Sequence, residues 1–299
     1  MNDTPAITAL RGEWRYAEPL ASWTSWRIGG PAERLYIPAD VDDVAAALAT
    51  LPADEPVFWL GLGSNLLVRD GGIRGTVIAT RNALNTLTDE GRGRVFAGAG
   101  VACARLPRFC SDRDLVGAEF FIGIPGTVGG ALAMNAGAWG GQTWAHVQMV
   151  ATVDHGGVRR ERFAEDFQVG YRHAAGPPGE WFTGARLIFE TGDGEAARRL
   201  TRRYLRERGE TQPTSAKSCG SVFRNPPGDH AARLIEAAGL KGLRVGGARV
   251  SARHANFIIN EGGATAAEVE TLIEQIRTTV ERDSGVRLER EVHIVGEPA

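Results

Sequence analysis

Three glycine-bearing segments in the first half of the chain have the composition of a backbone cradle for an anion. They are "GLGSN" from Gly61, "GAG" from Gly98, and "GIPGTVGGALAMNAGAWGG" from Gly123 to Gly141. The last carries no acidic or basic residue and a single amide, Asn135. Successive backbone N–H groups in tight turns form concavities that hold phosphate, and a missing Cβ lets a ligand lie close to the chain. Taken singly, each segment reads as tight turns. Three together make a large phosphate-bearing cofactor an equal reading. The familiar dinucleotide fingerprint is not among them. Gly61-x-Gly63 is followed by Leu66 and Gly98-x-Gly100 by Cys103, where the third glycine of G-x-G-x-x-G would stand.

Other side chains give weaker signals by themselves. Arg172, in "GYRHA", carries a fixed charge and a fork of donors suited to a carboxylate, but surface arginines commonly make ordinary salt bridges. Ser221, in "CGSVFRNP", lacks the G-x-S-x-G elbow of a serine hydrolase and reads as a turn former. In "LEREVHIVG", strand alternation puts Leu288, Val292 and Ile294 on one face and Glu289, Glu291 and His293 on the other, which faces either solvent or a cleft. The six histidines form no HxxxH pair and the cysteines (Cys103, Cys110, Cys219) follow no ligand spacing, so no metal is expected.

The elements that must position these residues are an alternation of short strands and helices. Arg34 to Pro38 predicts a strand, followed by a helix capped by Asp40 with Val44 and Leu48 on one face. "VFWLGLGSNLLV", "GTVIAT", "RVFAGAG", "HVQMVATVD" and "WFTGARLIFE" predict strands, and Cys103 to Leu115 a helix. Gly194 to Arg208 predicts a basic helix whose Arg198, Arg199, Arg202, Arg203, Arg206 and Arg208 form a solvated face, with Leu200, Tyr204 and Leu205 on the buried side. A polar, Pro-rich stretch starting near Gly209 marks a domain boundary. Beyond it, a helix is expected from His230 to Ala238, stopping at Gly239. "HANFIIN" predicts a strand. Thr265 and Glu268 form a capping box for a helix that buries Val269, Leu272, Ile273, Ile276 and Val280 and ends at Gly285, and "VRLEREVHIVG" predicts a last strand.

The 299 residues are enough for two or three cores, and 43% apolar with 23% charged residues is a globular mixture, not a disordered one. A net charge of -2 argues against a nucleic-acid partner. No apolar run reaches the roughly 20 residues of a membrane span. The start, "MNDTPAITALRGEW", has no basic-then-apolar leader pattern, and three unpaired-looking cysteines suit a reducing cytoplasm.

Seven segments occur together in a family's order: "SWRIGGPAERLYIP", "LGLGSNLLVRDGG", "GAEFFIGIPGTVGGALAMNAGAWGG", "GYRHA", "SCGSVFRNP", "AGLKGLRVGGARVSARHANFIIN" and "LEREVHIVG". Over roughly Trp23 to Gly296 the chain resembles the UDP-N-acetylenolpyruvoylglucosamine reductases, the MurB family. The resemblance implies an α+β chain with a vanillyl-alcohol-oxidase-type FAD-binding fold of two α+β subdomains, residues 1–80 and 81–208, and a C-terminal α+β substrate-binding domain, residues 209–299. It implies non-covalent FAD, NADPH as reductant and UDP-N-acetylglucosamine enolpyruvate as substrate, in peptidoglycan synthesis. No protein partner is inferable.

The resemblance carries over to individual positions. Gly61, Gly63, Ser64, Asn65 and Leu66, with Pro125, Gly126, Gly129, Gly130 and Asn135, correspond to the FAD-binding segments, where side chains would push the cofactor away. Arg172, Ser221 and Glu291 correspond to the catalytic arginine, proton donor and carboxylate. Tyr171, Arg224 and Asn225 correspond to substrate-binding positions. Ala174 stands where the family often has serine, and Arg224 where lysine is also common. The short span between Tyr171 and Cys219 fits the compact subtype without a substrate-capping insertion. Two other readings compete: an oxidase of the same flavin fold, and a UDP-sugar-binding protein that has lost its flavin.

Overall fold

The computed structural model describes residues 9–299, so the first eight residues of the segment inspected for a leader lie outside it. The chain forms two compact units. The first comprises residues up to Arg15, Arg34–Gly61 and Gly75–Thr201; the second comprises Tyr16–Glu33, Leu62–Arg74 and Arg202–Ala299.

In the first unit, Asp40 caps helix α1 (Val41–Thr50), its carboxylate accepting from the Asp43 N–H at 2.9 Å. Val44, Ala47 and Leu48 of α1 pack with Tyr36, Ile78, Leu84 and Val153. Strand Val57–Leu60 pairs in parallel with Thr76–Ala79, in a four-stranded sheet with Glu13–Pro19 and Pro31–Ile37. An antiparallel five-stranded sheet follows the order Arg159–Phe163, Val147–Asp154, Glu180–Ile188, Arg94–Gly98, Leu87–Gly91. Val95, Ala97, Ala185 and Leu187 of that sheet share a core with Leu106 and Cys110 of α2 (Leu106–Ser111) and Val128, Ala131 and Leu132 of α3 (Val128–Ala133).

Helix α2 is shorter than the expected Cys103–Leu115. A 3-10 turn occupies Cys103–Arg105, α2 stops at Ser111, and Asp114 at φ +53 turns the chain into strand Leu115–Val116. Helix α4 (Gly194–Thr211) forms as expected, but its buried positions are Gly194 and Ala197, and Leu205 is 47% exposed. The expected apolar side reaches solvent at Leu205 because burial on this helix is confined to its first turns.

In the second unit, α5 (Ala231–Ala237) and α6 (Ala266–Ser284) cover the strands Arg244–Val245, Ala248–Val250 and Ile258–Asn260. The strand parts of "HANFIIN" and "VRLEREVHIVG" shrink to Ile258–Asn260 and His293–Val295. Segments distant in sequence complete the core. Trp26 is fully buried and its indole N–H donates to the Ile258 carbonyl at 2.7 Å, while Leu66–Val68 pairs in parallel with His293–Val295.

Helix α6 starts from two caps. Thr265 and Glu268 form the expected capping box, and Gly285 at φ +71 ends the helix. The second cap comes from 196 positions away: the Asp70 carboxylate accepts from the N–H groups of Ala266 (2.9 Å) and Ala267 (3.1 Å). Charge-assisted bonds at a helix N-terminus combine capping with a favourable dipole interaction. Asp70→Ala should therefore cost about 1–2 kcal/mol, more than Thr265→Ala at about 1 kcal/mol. Urea unfolding followed by circular dichroism reads both; an unchanged midpoint for Asp70→Ala would show that water replaces the carboxylate at no cost.

Candidate active site

The glycine segments of the first unit meet backbone to backbone. Gly61 follows strand Val57–Leu60, and a Cβ built there would lie 2.5 Å from the Thr127 hydroxyl. A Cβ on Gly129 would lie 3.0 Å from the Cβ of Ala99 and 3.1 Å from its carbonyl oxygen. The approach is closed by hydrogen bonds: Val128 N–H to the Val101 carbonyl (2.8 Å), Gly129 N–H to Ala99 (2.9 Å) and Cys103 N–H to Gly126 (2.9 Å). Gly63 has φ +59, and a Cβ there would stand 2.5 Å from the Trp23 carbonyl oxygen within the second unit. At Gly61, Gly63 and Gly129 the residue pressing on the glycine is therefore the protein's own chain. Gly130 differs: it is exposed, and the nearest atom to its missing Cβ is the Thr127 hydroxyl at 3.9 Å.

Thr127 is the residue that sequence reasoning passed over. It precedes α3, is 2% exposed, and its hydroxyl is buried with no hydrogen-bond partner among the described residues. A buried hydroxyl left unpaired costs on the order of 1–3 kcal/mol, so such a group points to a ligand or water. Its setting, beside two positions without Cβ, fits a polar group of FAD. In the sequence it looked like one more turn residue in "GIPGTVGG".

Asn135, at φ +39 and 5% exposed, uses its amide on the protein. Its Nδ2 donates to Gln142 Oε1 (3.0 Å) and the Gly170 carbonyl (3.1 Å), and its Oδ1 accepts from the Trp144 N–H (3.1 Å). These bonds tie the glycine-rich segment to the hairpin of strands Gln168–Gly170 and His173–Ala175, whose turn is Tyr171 and Arg172. Arg172 has φ +54, a conformation that costs a non-glycine residue energy and recurs at functional sites. Its guanidinium carbon lies 5.4 Å from the centre of the exposed Tyr171 ring. Pro125 is exposed nearby in sequence, and Gly126 is half-buried.

In the second unit three candidate segments are stitched together. The Val222 carbonyl accepts from the N–H groups of Glu291 (2.8 Å) and Val292 (3.3 Å), Phe223 bridges Arg290, and Arg224 N–H donates to the Glu289 carbonyl (2.9 Å). Asn65 Nδ2 donates to the Glu291 carbonyl (3.1 Å), and His293 N–H donates to the Asn65 carbonyl (3.1 Å). Ser221, Glu291 and Asn65 are thus held on adjacent backbone, with Ser64 and Leu66 flanking Asn65. Ser221 and Glu291 are half-buried, whereas the Glu289 side chain is 78% exposed and 4.0 Å from Arg224 Nη1. Burial, with a smaller contribution from the Glu291 charge, pushes the Cys219 thiol well above its usual range. Asn225 uses its Oδ1 to accept from the Ala231 N–H at the start of α5 (3.1 Å). Arg224 Nε is buried and has no hydrogen-bond partner among the described residues.

Comparison with known proteins adds the identity of these parts. Residues 32–161 match the FAD binding domain family, and residues 212–295 match the C-terminal domain of UDP-N-acetylenolpyruvoylglucosamine reductase. The reductase of Alkalilimnicola ehrlichii is 64% identical over 96% of this chain and 96% of its own, and that of Methylococcus capsulatus is 60% identical over 99% and 98%. The crystal structure of MurB from Thermus caldophilus superimposes with a TM-score of 0.81 at 35% identity, covering 95% of this chain and 98% of that one. The chain belongs to the UDP-N-acetylenolpyruvoylglucosamine reductase family. It is an oxidoreductase of peptidoglycan synthesis with an FAD-binding domain in a mixed α+β fold.

The two neighbouring glycines give a paired test. Gly130→Ala adds a methyl group in open space and should leave thermal stability unchanged while weakening FAD retention. Gly129→Val drives a branched side chain into Ala99 and should lower the melting temperature even after the flavin is stripped, because overpacking costs about 1–3 kcal/mol. Flavin absorbance per protein and calorimetry of the stripped variants separate the two effects. Full flavin retention by Gly130→Ala would place the cofactor elsewhere.

Proposed function

We propose that the chain reduces the enolpyruvyl ether of UDP-N-acetylglucosamine to the lactyl ether, giving UDP-N-acetylmuramate, with NADPH as the reductant and FAD held non-covalently. FAD, when bound, supplies a two-electron relay that takes hydride from NADPH and passes it to the terminal enolpyruvyl carbon. The observation that carries this reading is the set of hydrogen bonds that joins Val222, next to Ser221, to Glu291, and Glu291 to Asn65, in one unit of a chain belonging to this reductase family.

The residues supply what the reaction lacks. Hydride addition leaves negative charge on the carbon next to the carboxylate, and fixed donors aimed at developing charge lower such barriers. Arg172, always charged and held at the turn of its hairpin, is assigned to that carboxylate. The Ser221 O–H is assigned as the acid that delivers a proton to the former enol carbon. A serine hydroxyl is a weak acid, so its role depends on the strong basicity of the carbon it meets and on Glu291 nearby, assigned to hydrogen-bond the reacting group. Arg224 attracts the substrate's negative charge. Asn225 retains its Nδ2–H donors for substrate because Oδ1 is engaged at α5, and the exposed Tyr171 ring offers a surface for it. FAD contacts are assigned to Gly61, Gly63, Ser64, Asn65, Leu66, Pro125, Gly126, Gly129, Gly130 and Asn135, with Thr127 added.

Ser221 separates the two halves of the chemistry. Flavin reduction by NADPH requires no proton at the enol carbon; reduction of the substrate does. Ser221→Ala should keep its FAD and be bleached by NADPH at nearly the normal rate, while its reoxidation by substrate slows about 10²–10⁴-fold. Ser221→Cys should recover part of the loss. Stopped-flow flavin absorbance reads both steps. Equal slowing of both would make Ser221 a scaffold residue, and no slowing would move the acid elsewhere.

Hydride storage on one cofactor also predicts that NADPH and substrate react alternately. Initial-rate plots should be parallel across substrate concentrations; intersecting lines would require both reactants to be bound at once.

A further inference from the structure

Four arginines from three stretches of the second unit line one open cavity of about 550 Å³. Arg224 comes from the loop after Ser221, Arg277 from the second half of α6, and Arg287 and Arg290 from the segment leading into Glu291. The carboxylates in the wall are Glu289 and Glu291.

The pairing of these charges is incomplete. Arg277 bonds to Glu274 at 2.6 Å, one turn away on its own helix, and Arg224 has only the distant, largely exposed Glu289 at 4.0 Å, with its Nε buried and unbonded. The side chains of Arg287 and Arg290 have no hydrogen-bond or ion-pair partner among the described residues. The excess charge acts on its surroundings. Desolvation at the wall, followed by the Arg224 and Arg290 charges, holds the His293 imidazole below its usual pKa, toward its neutral form. Clustered guanidinium groups repel one another unless an anion lies among them, and their forked donors match phosphate oxygens. A volume of this size accommodates part of a nucleotide.

We propose that Arg277, Arg287 and Arg290, with Arg224, form a subsite for a phosphate group of a nucleotide reactant, beside the Glu291 segment. This rests on the function proposed above, in which both reactants carry phosphate: the 2′-monoester that distinguishes NADPH from NADH, and the diphosphate of the UDP-sugar. A 2′-phosphate bound here makes the cavity the origin of a preference for NADPH; a diphosphate bound here makes it an anchor for the sugar nucleotide.

The test uses the flavin-loaded protein and its Arg287→Ala/Arg290→Ala double variant, in which neither changed residue belongs to the assigned catalytic groups. Titration calorimetry measures 2′-phospho-ADP-ribose, ADP-ribose and UDP. Loss of two charge-assisted contacts should weaken a phosphate probe about tenfold or more. Weakening of 2′-phospho-ADP-ribose alone, with ADP-ribose unchanged, supports the subsite and assigns the monoester. Weakening of UDP supports it and assigns the diphosphate. The Arg287→Lys/Arg290→Lys variant should recover part of either loss, and the flavin spectrum and melting temperature should match the parent protein. All three probes binding within about twofold of the parent protein would overturn the subsite, since charge-assisted bonds are worth more than that. Failure of the proposed reaction shows separately: the parent protein would bind the probes, but NADPH would not bleach it or the enolpyruvyl substrate would not recolour it.

Discussion

The carbonyl of Val222 is the point on which the candidate chemistry of the second unit depends. One oxygen accepts from the backbone of both Glu291 and Val292, and the residues on either side of it are Ser221 and Phe223. Buried backbone groups must be paired, and this pairing fixes the register between two segments about 70 positions apart in sequence. A shift of one residue would exchange Glu291 for Arg290 or Val292 beside Ser221, because neighbouring side chains on an extended chain point to opposite sides. Asn65 locks the same register from a third segment, donating to the Glu291 carbonyl and accepting from His293 N–H. The buried neighbours Leu288 and Val292 oppose slippage for a different reason, since moving them by one place would expose apolar surface.

The glycine segments obey a related constraint in the first unit. Where two backbones run close enough to bond directly, as Gly129 does to Ala99, little room is left for a Cβ, and at Gly61 the Thr127 side chain occupies the place a Cβ would take. The consequence for binding is indirect. Close packing of these turns buries the Thr127 hydroxyl without a hydrogen-bond partner among the described residues, and leaves Gly130 as a bare edge. A glycine in such a segment can therefore be required by the protein's own packing as well as by a ligand.

Local pattern made the regular elements legible. Asp40 and Thr265 stand where a side chain can cap a helix, and the apolar spacing from Val269 to Val280 has the helical period, so α1 and α6 could be read directly. The seven ordered segments made the candidate site residues legible by resemblance. What stayed hidden depends on distant partners. Nothing near Asp70 in the sequence says that it caps α6, nothing near Trp26 says that its indole bonds to Ile258, and Leu205 looks buried until the helix is seen to bury only its first turns. The final strand was overread because its residues alternate in burial without all pairing: Leu288 and Val292 are buried as a strand face would be, yet ladder pairing is confined to His293–Val295.

Charge shows the same dependence on partners. By composition the arginines of α4 are the most conspicuous cations in the chain, yet several have local anions: Arg198 bonds the Ser111 carbonyl and faces Asp112 and Glu195, Arg199 faces Asp193, and Arg203 faces Glu207. Exposed pairs of this kind contribute little to stability, and their charge is largely neutralised before a ligand arrives. Arg287 and Arg290 are separated by two residues in a segment that also carries Glu289 and Glu291, and sequence alone gives them no prominence. Folding places them with Arg224 and Arg277 around one concave space, and it is the lack of side-chain partners for Arg287 and Arg290 among the described residues, rather than the number of arginines, that leaves charge available to a phosphate.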